Sequence, residues 1–103
     1  MIIYLSGIDH DTDAKEIDRL KSQLFNLGCT IVSPEENALN KLGWAENIRL
    51  RMEFLHSSDA IYMLPNWKDS IMARIELTAA MNDKIAFCFS SEDIRELITT
   101  LDV

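Results

Sequence analysis

The sequence predicts an α/β fold: a flavodoxin-like, Rossmann-like three-layer α/β/α sandwich around a four-stranded parallel sheet in the order 2-1-3-4. Three observations predict it. β-rich runs alternate with segments of helical periodicity along the chain. The connections carry no hairpin turn signals, so right-handed crossovers and parallel strands follow. Residues 60–64, Ala-Ile-Tyr-Met-Leu, are almost wholly apolar, as in a central strand covered on both faces. A length of 103 residues suits one domain spanning 1–103.

Residues 2–5 form the first strand, which ends at Ser6-Gly7, and residues 8–13 are polar and turn-like. From Asp13 the pattern turns helical. Ile17, Leu20, Leu24 and Leu27 recur at three- and four-residue spacing, Asp13 and Glu16 match a capping box, and Gly28 suits the C′ position. Residues 29–33 are a short β-branched run stopped by Pro34, and a polar loop continues to Gly43. Trp44, Ile48, Met52 and Leu55 then mark a second helix, with Trp44 packing at its start and Arg49, Arg51 and Glu53 elsewhere around it. It ends near His56-Ser57.

The third strand, residues 60–64, is closed by Pro65-Asn66. Asp69 or Ser70 caps the next helix, whose Ile71, Ile75 and Ala79 face the sheet until Asn82-Asp83 ends it. Residues 84–89 make the fourth strand, and Ser90 or Ser91 caps a last helix carrying Ile94, Leu97, Ile98 and Leu101. In the order 2-1-3-4, Cys29 and Cys88 lie at opposite edges, separated by three gaps of about 4.8 Å each. That is beyond disulfide reach, so both thiols are expected free and buried.

Composition narrows the function classes. Hydrophobic residues at 48% and charged residues at 26% set the chain apart from a disordered one. A net charge of −7 argues against nucleic acid as a partner, because phosphate-backbone binders cluster Lys and Arg. A small anionic ligand stays open, since one helix N-terminus and an arginine suffice to hold a phosphate. No apolar run approaches bilayer length, so the expectation is a soluble, cytoplasmic protein without a membrane partner. His10 and His56 have no metal-ligand spacing with each other or with the cysteines; no metal and no cofactor are expected. Asp9, Asp11 and Asp13 read as a solvated loop and helix cap, with cation binding as the alternative.

Open α/β sheets bind ligands outside the carboxyl ends of their strands, where the strand order reverses, here between strands one and three. Residues 7–11 and 65–70 are the loops at that point. Gly7 permits close approach to backbone, and the helix starting near Ser70 offers free N–H groups and a positive dipole end to an anion. Glu76 follows Ser70 by six positions, about 9 Å along a helix, a span from phosphate to sugar. A carboxylate there has the chemistry of a nucleophile for an anomeric carbon, against the plain reading of a solvated helical Glu. Arg49 either binds phosphate or pairs with a helical carboxylate. Trp67 either stacks on a base or caps the core edge, and Asp59 reads as a turn residue before the buried strand.

Tyr4-Leu5-Ser6-Gly7, Trp44 with Arg49, and the run Asp59-Ala60-Ile61-Tyr62-Met63-Leu64-Pro65-Asn66-Trp67 followed by Ser70, Ala73, Arg74 and Glu76 carry a resemblance. They resemble an uncharacterised, often phage-borne family of unknown function related to nucleoside 2-deoxyribosyltransferases, over most of the chain to about Phe89. The wider superfamily includes 2′-deoxynucleoside 5′-monophosphate N-glycosidases. The resemblance implies a flavodoxin-like fold, a nucleoside or nucleotide as small-molecule partner, Glu76 as nucleophile, Ser70 at the 5′-phosphate and Tyr4 near the sugar. It also implies pairing into a homodimer. Ser6, Gly7, Pro65, Asn66 and Trp67 join Arg49 and Ser70 as candidate substrate-binding residues. The chain departs from the pattern in three places: Ile8-Asp9 stands where Pro-Met is usual, Met72 where Gly is, and Arg51 where relatives often carry Asp. Asp9 or Asp11 is then the candidate substitute acid.

Overall fold

The computed structural model describes residues 1–8, 14–33 and 41–101. Four parallel strands, β1 (Ile2–Ser6), β2 (Thr30–Val32), β3 (Ala60–Met63) and β4 (Ala86–Cys88), form one sheet in the order β2-β1-β3-β4. Helices α1 (Ala14–Asn26), α2 (Trp44–His56), α3 (Ile71–Asn82) and α4 (Ser91–Leu101) alternate with them, and a 3-10 turn at Trp67–Asp69 leads into α3. This is the predicted arrangement. The register sets Ile3 beside Ala60 and Ser6 beside Met63, so β1 and β3 end together at the carboxyl edge.

Alternation of side chains along each strand divides the interior into two layers. One face packs Ile3, Leu5, Tyr62 and Cys88 against Leu24 of α1 and Ile94 of α4. The other packs Tyr4, Ile61 and Met63 against Leu55 of α2 and Ala73 and Ala80 of α3. All of β3 is buried, as a strand covered on both faces requires. Both cysteines are free and buried.

Local chemistry explains the element ends. Gly28 has φ +86°, the left-handed conformation that closes α1, and the N–H of Cys29 donates to the Leu24 carbonyl at 3.1 Å. The Ser70 hydroxyl oxygen caps α3 by accepting from the Ala73 N–H at 3.1 Å, which selects Ser70 over Asp69. Ser90 accepts from the Asp93 N–H at 3.3 Å, while the Asp93 carboxylate accepts from the Phe89 N–H at 2.8 Å. Strands two and four are shorter than predicted. Each is an edge strand paired on one side, and Lys84, at φ +59°, turns the chain out of α3 rather than extending it. The predicted cap at Asp13 and the polar stretches 9–13 and 34–40 lie outside the described residues.

Two helix faces differ from the expectation. Trp44 is 60% exposed rather than packed, and the buried positions of α2 are Asn47, Arg51 and Leu55. Ile71 is 68% exposed, and the buried positions of α3 are Ala73, Glu76 and Ala80. The hydrophobic-periodicity rule assigns the apolar stripe to the core. Here α2 and α3 turn polar side chains inward instead, and the apolar Ile71 is left outside. Among the described residues, no helix is long and apolar enough to cross a membrane.

Candidate active site

The polar interior begins with β1. Tyr4 and Ser6 are two apart on the strand, so both side chains project from the face covered by α2 and α3. Glu76 stands in the second turn of α3 and is only 1% exposed. The Tyr4 hydroxyl donates to its Oε2, and the Ser6 hydroxyl donates to its Oε1 at 2.8 Å. A helical carboxylate that sequence alone would place in solvent is thus enclosed at the carboxyl edge of the central strands.

Arg51 reaches the same group from α2. Its Nη1 lies 3.8 Å from Glu76 Oε2, and its Nε donates to Asn47 Oδ1 at 2.6 Å. Both α2 side chains are buried. Asn47 is not among the sequence candidates; for Arg51 the resemblance points to this position, whereas the hydrophobic pattern sets it away from the buried face. The signal was available as the row Asn47, Arg51, Leu55 at four-residue spacing, had polar residues been admitted to an inward stripe.

Two influences act in opposite directions on the carboxyl. Burial pushes Glu76 up to about 8 from an ordinary 4.5. The neighbouring guanidinium and the two hydroxyl donors favour the carboxylate. Such a group, shielded from water yet surrounded by donors, is equipped for a nucleophilic or proton-transfer role.

The remaining candidates occupy different surroundings. Ser70 caps α3, and the first-turn N–H groups there lack helical partners, as at any helix start. Gly7 has φ +96°, and a Cβ at that position would meet the Leu64 Cβ at 3.3 Å and the Trp67 Cα at 3.8 Å. Its close approach is therefore to the chain's own β3 loop. Pro65 and Asn66 are exposed in that loop. Trp67 is half-buried against the α2/α3 core, with its ring 5.9 Å from Phe89 and under Lys68 Nζ at 5.7 Å. That is the core-edge reading.

Arg49 is exposed and pairs with Glu46 at 3.3 Å and Glu53 at 2.8 Å on its own helix. The structure does not bring it to Glu76. Asp59 accepts from the Ile2 N–H at 2.7 Å, at the opposite end of the sheet, which is the turn role. Asp9 and Asp11, the candidate substitute acids, lie outside the described residues. Among the described residues, no cluster of three or more His, Cys, Asp or Glu is placed to hold a metal.

Searches against curated proteins and against solved structures return no match. A family model does match, over residues 1–89, from β1 through β4 and ending where the resemblance ended. The chain belongs to that family, described as a domain of unknown function, DUF4406.

Proposed function

We propose that the chain acts at the N-glycosidic bond of a nucleoside or nucleotide, as an N-glycosidase or 2-deoxyribosyltransferase-like enzyme. The observation that carries this reading is the enclosed Glu76 carboxyl, held by Tyr4 and Ser6 at the carboxyl edge of β1. Glu76 attacks the anomeric carbon as the bond to the base breaks, through an oxocarbenium-like transition state, and forms a glycosyl ester. Water then attacks that carbon in a hydrolase, releasing free sugar and restoring the carboxylate; a second base does so in a transferase. Tyr4 orients the attacking group. Ser70 and the first turn of α3 hold the 5′-phosphate, about 9 Å along the helix from Glu76. Asp9 serves as the auxiliary acid in this scheme.

Incubation with a panel of deoxynucleosides and their 5′-monophosphates, followed chromatographically for free base, tests the proposal. Release by the native chain and a loss of about a thousandfold or more in Glu76→Gln are expected. Absence of release from every substrate, or full release by Glu76→Gln, overturns it.

A second reading is favoured by the Arg51–Glu76 contact, which leaves the carboxylate already paired inside the fold. On that reading the chain is a nucleotide-binding module without turnover, and it shows ligand-dependent thermal shifts with no base release. Homodimer formation belongs to the same proposal, and light scattering of the purified chain reads it directly.

A further inference from the structure

We propose that Arg51 is a positioning residue for Glu76: its guanidinium, aimed by Asn47, favours the anionic form of the Glu76 carboxyl and so counters part of the effect of burial. A guanidinium keeps its charge at any physiological pH and can only donate hydrogen bonds. Arg51 is nonetheless buried, at 5% exposure. Taking such a cation out of water is costly, and an adjacent anion helps to offset the cost. Glu76 Oε2 is 3.8 Å from Nη1.

The arrangement is directional. Asn47 precedes Arg51 by one helical turn and accepts from Nε at 2.6 Å, which fixes the plane of the guanidinium head. Nη1 is thereby turned toward α3. On the other side of the carboxyl, the hydroxyls of Tyr4 and Ser6 donate to Oε2 and Oε1. A carboxylate accepts from both hydroxyls and is attracted by the guanidinium, whereas a protonated carboxyl would direct its own O–H among them. Tyr4 from β1 and Arg51 from α2 are the titratable side chains in contact with Glu76 among the described residues. The apolar neighbours on that face, Ile61, Met63 and Ala73, provide no competing charge.

Burial and the cation therefore act on one group with opposite sign, and the cation limits how far burial can raise its midpoint. This bears on catalysis only through the reading of Glu76 as nucleophile, since a protonated carboxyl does not attack carbon. The ionisation of Glu76 is a property of the protein without substrate.

The test is a titration of the Glu76 side-chain carboxyl by 13C NMR in chain labelled at glutamate, the signal being assigned by its loss in Glu76→Gln. The native midpoint is the reference. Arg51→Met should raise it by about 1 to 3 pH units, the span an adjacent opposite charge produces. Arg51→Lys should recover a large part of that displacement, and Asn47→Ala should give a smaller rise. An unchanged or lowered midpoint in Arg51→Met overturns the proposal whether or not base release is ever seen. Should Arg51→Met fail to fold, the double variant Arg51→Met/Glu76→Gln is compared with it. Recovery of folding supports the pairing, and equal instability overturns it.

Discussion

The two faces of the sheet are built on different principles. The α1/α4 face is an apolar layer in which Leu24, Ile94, Ile3 and Leu5 are buried together. The α2/α3 face has its own apolar residues, but it also encloses Tyr4, Ser6, Asn47, Arg51 and Glu76. Apolar burial is non-directional and tolerates small shifts. Polar burial demands partners at fixed positions, because each unsatisfied group is costly. Among the described residues, no buried side-chain nitrogen or oxygen lacks a partner. One face thus holds the fold together, and the other places a charged group at the carboxyl edge of the strands.

Breaking the apolar face should produce the largest change in stability. Leu24→Ala, measured by urea unfolding, is expected to cost about 2–5 kcal/mol. The loss should be the same at acid and at neutral pH, because the titratable side chains packed in that layer among the described residues, Cys29, Tyr62 and Cys88, are pushed further up by burial and stay neutral throughout. A cost that varied strongly with pH would contradict the division between the faces.

A smaller effect should appear on the polar face as a dependence on pH. Burial raises the folded midpoint of Glu76 above its unfolded 4.5, toward about 8. The folded chain therefore retains a proton that the unfolded chain has lost, and this group's contribution to stability is complete below 4.5. It declines as pH rises through the folded midpoint and is constant above it. Each pH unit separating the two midpoints is worth about 1.4 kcal/mol, and Arg51 narrows the separation. Glu76→Gln should flatten that part of the stability profile; an unaltered profile would remove Glu76 as its source.

The exposed outer side of α2 should give the smallest effect. Arg49→Ala removes two solvent-exposed pairs, with Glu46 and Glu53, and is expected to change stability by about 0.3–1 kcal/mol, less at high salt. The Glu76 titration should not move. A displaced Glu76 midpoint would show that the two sides of α2 are electrostatically coupled.

The contrast between the faces also accounts for what could be read in advance. Leu20, Leu24 and, just past its end, Leu27 were legible as the inward stripe of α1 because that stripe is apolar, and Gly28 because the left-handed turn after α1 restricts the residue there. Ser70 was legible as one of two caps, and Glu76 and Tyr4 as site candidates through spacing and resemblance. Asn47 and Arg51 were not legible as interior residues. A hydrophobic pattern has no means of marking a polar side chain whose burial is compensated by a partner on another element. The same limit misplaced Trp44 and Ile71.

By itself, then, the sequence determined the alternation of strands and helices, the central position of β3 and the sheet order. These depend on local periodicity, turn chemistry and rules of chain connection, all of which act over short stretches. Only the tertiary structure decided that Tyr4 and Glu76, 72 positions apart, meet in a hydrogen bond, and that Arg51 approaches Glu76 from a third element. The physical reason is that a buried charge becomes tolerable only once its partners have been packed around it, and that packing is a property of the assembled layers.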